Sequence, residues 1–389
     1  MKILLLWPMF HPIPNAAAIR GEAFARYLAE RGNQVCVITP VRDSVSQPDC
    51  QGQYVVSRMR TYDTFSERHG FVASALLAPF PLMSMRREVA RLRPDLIIAS
   101  SPAPFLAFEG FLASRSQQIP FVYDMRDSWR LEEYTHSGAL RNKAKRWIER
   151  CLCRGADMVF CVSESLRRMA ISDYGLLDQK VKVVTNGAEP LELDGPAQKD
   201  YDLVFSGYPA KYRFIPELLK GIAIVSRKMP VKMLCLGWKG TPQEKELRNL
   251  IGRLGVEESV DMRPPVSHDK VAIELSKARL GVTSLSGDSS LASAVGTKTY
   301  EYLSAGLPVA CLSPFAKSEL QDFVESNDVG FYSRDSEEFA GKLIALLSSE
   351  GDLSRLKENA RALSAKYRWK SIVYDVYEKY LKDLGGSKE

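Results

Sequence analysis

The sequence predicts two doubly wound α/β domains in tandem, each a parallel sheet covered by helices. Three observations point there. Short apolar, β-rich runs alternate with amphipathic helical stretches along the whole chain. The alternation breaks at the polar, proline-bearing stretch Glu189 to Asp200 and then restarts, which marks an interdomain linker. The length, 389 residues, exceeds what one ordinary core organises. The expected domains are residues 1–190 and 200–367.

In the first half, strands are expected at Lys2–Trp7, Gln34–Thr39, Tyr54–Met59, Asp95–Ser100, Pro120–Asp124, Asp157–Val162 and Val181–Thr185. A helix is expected over Ala17–Arg31, where Phe24, Tyr27, Leu28 and Arg31 recur at helical spacing and Gly32 is the stop. A second helix, Leu140–Arg154, places Trp147, Ile148, Cys151 and Leu152 on one face and basic residues on the other. In the second half, strands are expected at Asp202–Ser206, Val231–Leu236, Val260–Arg263, Leu280–Ser284, Pro308–Leu312 and Gly330–Tyr332. A helix at Pro216–Lys228 begins with proline in its first turn. The tail, Ser354 to Leu384, reads as two helices, the last with an apolar stripe of Trp369, Ile372, Val373, Val376, Tyr377 and Tyr380.

Composition narrows the function. A chain 45% hydrophobic and 26% charged is that of a soluble globular protein. The net charge of +6 fits an anionic ligand or an acidic membrane surface. No basic run interleaved with aromatics appears, so nucleic acid is not an expected partner. Seven cysteines scattered through apolar runs predict reduced thiols and a cytoplasmic protein, and Cys151-Leu152-Cys153 lacks the spacer of a zinc or redox motif. The four histidines show no ligand spacing, so no metal is expected. Ile3–Phe10 reads as a first strand rather than a signal peptide, because Pro8, Pro12 and Pro14 crowd the junction. The uncharged run Gly70 to Met85 is too short to span a bilayer. It reads first as a packed helix and second as a surface resting on an anionic membrane, with Arg86, Arg87, Arg91 and Arg93 behind it.

In such folds ligands sit at the carboxyl ends of strands, and two facing domains imply a cleft on which the motifs converge. The most informative motif runs from Gly296 to Ala310. Gly296-Thr297-Lys298-Thr299 opens a short helix whose free amides and dipole suit phosphate, with Lys298 adding charge. One turn on, Glu301 can accept hydrogen bonds from a ribose diol; together these groups suit a sugar nucleotide. After the first strand of the second domain, Ser206-Gly207 leads to Lys211 and Arg213, placed to stabilise a departing diphosphate, with Arg213 the stronger choice because guanidinium binds phosphate bidentately. Asn186-Gly187 is a turn that also faces the expected cleft.

The first domain offers two further segments. Asn15-Ala16-Ala17-Ala18, with Arg20, ends the first strand in small residues that let backbone approach a ligand; a plain strand-to-helix turn reads equally well. No G-x-G-x-x-G is present, so a nicotinamide or flavin cofactor is not expected. In Asp124-Met125-Arg126-Asp127-Ser128-Trp129, two carboxylates flank an arginine and suit sugar or acceptor hydroxyls, against the alternative of an internal Arg–Asp ion pair. Asp200-Tyr201-Asp202 enters a strand rather than leaving one and is read as an accidental D-x-D.

These segments, with Val162-Ser163-Glu164-Ser165 and Thr185-Asn186-Gly187-Ala188, resemble the family-four retaining glycosyltransferases over essentially the whole chain. The Asp-Met-Arg-Asp-Ser-Trp and Gly-Thr-Lys-Thr-Tyr-Glu-Tyr forms look most like the branch that makes bacterial surface polysaccharides, including N-acetyl-fucosaminyl transferases. The resemblance implies the GT-B fold, with a terminal helix, 368–384, crossing back to the first domain. It implies a metal-independent hexosyl- or N-acetylhexosaminyl transferase using a UDP- or GDP-type sugar without a cofactor. The acceptor it implies is a glycan or a polyprenyl-linked glycan at the inner face of the membrane. Glu301 falls to the ribose, Lys211 or Arg213 with amides near Thr297–Thr299 to the diphosphate, and Arg126 and Asp127 to donor sugar and acceptor. The chain departs from the pattern at Ser293, where many relatives carry a first glutamate, with Asp288 as a substitute; at Arg126, where many carry histidine; and in the loop after Gly207. A natural-product glycosyltransferase, a sugar-nucleotide epimerase and a non-catalytic binding subunit are the alternatives.

Overall fold

A computed structural model of the chain describes residues 1–12, 15–41, 49–61, 79–128, 139–191, 198–287, 292–293 and 295–386. Residues 70–78 of the uncharged run, Trp129, residues 192–197 of the linker and Asp288 lie outside them. The chain divides into two units, Met1–Thr185 with Trp369–Glu389, and Asn186–Arg368. The boundary falls ahead of the Glu189–Asp200 stretch because residues after Thr185 bond within the second unit. Ala188 N–H donates to the Tyr367 carbonyl at 2.9 Å, and Ser304 Oγ donates to the Glu189 carbonyl at 2.6 Å.

The first unit contains an eight-stranded sheet in the order β3-β4-β2-β1-β5-β6-β7-β8. Its strands are β1 (Lys2–Leu6), β2 (Gln34–Pro40), β3 (Asp49–Gln51), β4 (Tyr54–Met59), β5 (Leu96–Ser100), β6 (Phe121–Met125), β7 (Met158–Cys161) and β8 (Val181–Val183). All neighbours are parallel except β3, a three-residue antiparallel edge strand. β3 is not expected from the sequence, because Asp49-Cys50-Gln51 carries no apolar alternation. The parallel strands read as continuous apolar runs because both faces are covered. In β1, Leu4 and Leu6 enter one core cluster, while Ile3 and Leu5 enter the opposite one.

Helices Pro79–Leu92, Pro104–Gln117 and Ala139–Gly155 contribute to the first of these clusters, and helix Ala16–Glu30 to the second. Helix Trp369–Val376 covers that second face: Trp369, Val373 and Val376 pack with Ile3, Leu5 and Phe24. The helix starting at Ala16 is capped by Asn15, whose Oδ1 accepts from Ala18 N–H at 2.8 Å. Trp147 departs from its expected buried face. Ile148 and Leu152 are buried, but Trp147 is 59% exposed and meets Phe108 edge-on at 5.8 Å.

The second unit has six parallel strands in the order β11-β10-β9-β12-β13-β14. They are β9 (Tyr201–Ser206), β10 (Met233–Leu236), β11 (Val260–Arg263), β12 (Ala278–Ser284), β13 (Val309–Leu312) and β14 (Gly330–Ser333). Each sheet reverses its winding direction once: between β1 and β5 in the first unit, and between β9 and β12 in the second. Such a switch point leaves a crevice at the carboxyl ends of its two strands. Among the described residues no helix is long and apolar enough to cross a membrane, and Cys36, Cys151, Cys153, Cys161, Cys235 and Cys311 are free thiols.

Candidate functional site

In the second unit, the loop leaving β9 and the helix following β12 flank the switch point. Gly207 leaves β9 at φ 137, a left-handed-side conformation that favours glycine. The chain then makes a tight turn at Lys211–Arg213 and enters helix Ile215–Ser226 through Phe214. This loop is stapled across the end of β12. Ser286 N–H donates to the Tyr212 carbonyl at 2.8 Å, and Ser284 Oγ donates to the Arg213 carbonyl. Lys211 is exposed. Arg213 is half-buried with its guanidinium 5.1 Å from the Tyr212 ring centre, and its buried Nε has no hydrogen-bond partner.

Across the crevice, helix Thr297–Ser304 starts at exposed Gly296 with no side-chain cap. The absent cap leaves the first amides, those of Thr297 and Lys298, to be satisfied from outside the helix. Thr299 departs from its expected role. Its N–H closes the first turn on the Gly296 carbonyl at 3.0 Å, and the residue is fully buried. Glu301 is 7% exposed and pairs with Lys298 at 2.9 Å. The two residues expected to hold ribose and phosphate therefore hold each other, and a ligand has to compete with that pair.

Tyr302, which no sequence motif singles out, links the two rims. Its pKa is raised, chiefly by burial; the Ser206 amide lowers it, Glu301 raises it and Arg213 lowers it. The Tyr302 hydroxyl donates to the Val282 carbonyl on β12, and Ser284, two residues further along β12, donates to the Arg213 carbonyl, so the helix bearing Glu301 and the loop bearing Arg213 are both tied to the end of one strand. Ser293 sits half-buried in a short turn before the helix, and Asn186 is half-buried at the start of the unit.

In the first unit, much of the expected ligand-binding charge is internal. Arg20 and Asp124 are both fully buried and form a bidentate pair, with Nη2 to Oδ1 at 2.7 Å and Nε to Oδ2 at 3.1 Å. Arg20 also donates to the Thr185 and Val184 carbonyls at 2.8 and 3.0 Å. Arg20 is therefore a core residue rather than a ligand cation. Ala17 and Ala18 are buried as well. Trp7 Nε1 donates to the Ala17 carbonyl at 2.7 Å, and the Ala18 amide serves the Asn15 cap. Their small size answers helix packing, so the plain strand-to-helix turn describes this segment.

With Asp124 bound to Arg20, the Arg126–Asp127 pair stands at the end of β6 by itself. Ser101, in the turn just after β5, holds it: its Oγ accepts from Arg126 N–H at 2.9 Å and from Asp127 N–H at 3.2 Å. Asp127 is exposed, whereas Arg126 is half-buried with its Nε unpartnered. Burial lowers the Arg126 pKa, opposed by Asp127 and Asp124; a guanidinium nevertheless stays charged. The loop is anchored on its far side by Ser128, whose Oγ donates to buried Glu149 at 3.1 Å, where Tyr174 also donates at 2.6 Å. Burial, then Glu149, raises the Tyr174 pKa. Neither Ser101 nor Glu149 is marked in the sequence, because each acts across a strand or helix far along the chain.

Comparison with known proteins gives a consistent result. The Glycosyltransferase Family 4 profile matches residues 22–190, and the Glycosyl transferases group 1 profile matches residues 194–363. No curated protein matches significantly. Sucrose-phosphate synthase from Thermosynechococcus elongatus is similar with TM-score 0.76 and 15% identity, over 100% of both chains. Anabaena HepE, solved with UDP and glucose, is similar with TM-score 0.72 and 18% identity, over 98% of this chain and 100% of that one. WaaG, a glycosyltransferase involved in lipopolysaccharide biosynthesis, gives TM-score 0.68 at 14% identity, over 97% and 98%. The chain belongs to the glycosyltransferases of the GT-B fold, with a family 4 domain followed by a group 1 domain.

Proposed function

We propose that this protein is a metal-independent, retaining glycosyltransferase that moves a hexosyl or N-acetylhexosaminyl group from a UDP- or GDP-type donor to a hydroxyl of a glycan or lipid-linked glycan. Its pathway in this reading is bacterial surface polysaccharide synthesis. One observation carries the proposal: the loop bearing Arg213 and the uncapped helix bearing Glu301 are both tied to β12 at the β9–β12 switch point, through Ser284 and Tyr302. A nucleoside diphosphate matches that set. The ribose diol donates to Glu301, displacing Lys298 toward the phosphates, and the diphosphate takes the amides of Thr297 and Lys298.

Chemistry then follows from charge placement. As the glycosidic bond to the diphosphate breaks, negative charge grows on the leaving oxygen, and Arg213 and Lys211 stabilise it. The acceptor hydroxyl attacks from the same face and gives its proton to that leaving oxygen, so retention requires no separate base. Arg126 and Asp127 provide the charged groups for sugar and acceptor hydroxyls. HepE, solved with UDP and glucose, and WaaG, named for lipopolysaccharide biosynthesis, support this reading of donor and pathway.

A lipid-linked acceptor is favoured over a soluble aglycone by the surface of the first unit. Exposed Phe80 and Met83 share helix Pro79–Leu92 with Arg86 and Arg87, and exposed Trp147 stands beside Lys143, Arg146 and Arg150. Apolar anchors among cations suit an anionic bilayer surface. The test is a thermal-shift panel of nucleotide sugars, followed by turnover on the best donor and anomeric analysis of the product. Stabilisation by none of them, or an inverted product, contradicts the proposal. Co-sedimentation only with anionic liposomes is expected for the membrane contact.

A further inference from the structure

β9 and β12, the two switch-point strands of the second unit, pair only as far as Val204 opposite Gly281. Yet β9 runs on to Ser206 and β12 to Ser284. Each keeps its other neighbour to the end: Ser206 pairs with Leu236 on β10, and Ser284 with Leu312 on β13. The separation is therefore confined to the crevice. Carried forward in register, Ser206 would face Thr283, and the parallel ladder would send the Ser206 N–H to the Val282 carbonyl.

The Tyr302 hydroxyl occupies that place. It accepts from Ser206 N–H at 2.9 Å and donates to the Val282 carbonyl at 3.1 Å, so one ladder bond is relayed through an inserted oxygen. The ring is fully buried and lies over Gly281, where a Cβ would stand 2.3 Å from a ring carbon. Glycine at that position makes the insertion possible. Burial keeps the phenol neutral, so its proton remains available to Val282.

We propose that Tyr302 is a wedge: a positioning residue whose hydroxyl holds β9 and β12 apart and so sets the gap between the Gly207–Arg213 loop and the helix carrying Glu301. This inference rests on the nucleotide reading of the same crevice. Tyr302 touches no ligand itself; it acts through the rims it separates. Without the hydroxyl, Ser206 N–H and Val282 can bond directly, which satisfies both groups and narrows the crevice.

The test is Tyr302→Phe in the full chain, measured by UDP and GDP titration, thermal unfolding and crystallography beside the wild type. The expected result is at least about a tenfold loss of nucleotide affinity, an unfolding midpoint shifted by less than about 2 °C, and a direct Ser206–Val282 bond in the variant. Unchanged affinity overturns the proposal. So does a variant that fails to fold, or whose affinity loss only tracks its unfolded fraction, because the hydroxyl is then a stability element. If the wild type binds neither nucleotide, the nucleotide reading falls, while the variant's structure still decides the wedge: strands that stay apart refute it, and strands that zip together uphold it.

Discussion

The two units carry the same topological feature and fill it in opposite ways. Beside the β1–β5 switch point, Arg20 on the helix after β1 and Asp124 on β6 neutralise each other with no exposure to solvent. At the β9–β12 switch point, Lys211 is exposed, Arg213 is half-buried over a tyrosine ring, and the strands themselves are parted. A cation after a strand is therefore not by itself a ligand site. What matters is whether the fold already supplies its counter-charge.

This contrast can be broken experimentally, and the largest effect belongs to the residue with no proposed contact to substrate. Arg20→Ala strands Asp124 as a buried unpaired charge and should cost about 3–5 kcal/mol of stability, read by chemical denaturation. Near-native stability would show that the pair contributes little. Arg213→Ala should leave folding intact and lower turnover by about a hundredfold or more, as expected when one donor to a developing charge is removed; a change confined to KM would place Arg213 in ground-state binding instead.

Glu301→Ala comes next. Loss of charged hydrogen bonds to a diol should raise donor KM by about ten- to a hundredfold, with a smaller change in kcat. Lys298→Ala should have the smallest effect, about threefold or less on donor affinity, because a partly exposed lysine already paired with Glu301 gains little by changing partners. A Lys298 effect larger than that of Glu301 would reverse their assigned roles.

Legibility in the sequence followed the range of the interaction. Strands were readable because coverage on both faces makes each an unbroken apolar run, as in Ile3–Leu6. The helix at Thr297 was readable because a glycine start and a carboxylate one turn later lie within a few residues. The Arg20–Asp124 pair spans 104 residues, so each looked like a free charge in its own segment. Tyr302 resembled an ordinary core aromatic, since only strand register reveals that its hydroxyl replaces a ladder bond. The helical stripe around Trp147 misled because helix Ala139–Gly155 turns Glu149 inward to Ser128 and Tyr174, leaving the tryptophan outside.

The central claim is that the second unit's crevice holds the nucleotide and the first unit's charged loop does not. Calorimetric titration of UDP and GDP against two double variants tests it directly: Arg213→Ala with Glu301→Ala, and Arg126→Ala with Asp127→Ala. The account predicts that the first pair weakens nucleotide binding by about tenfold or more and the second leaves it within about twofold of wild type. Nucleotide binding that survives the first pair and is lost with the second would contradict it.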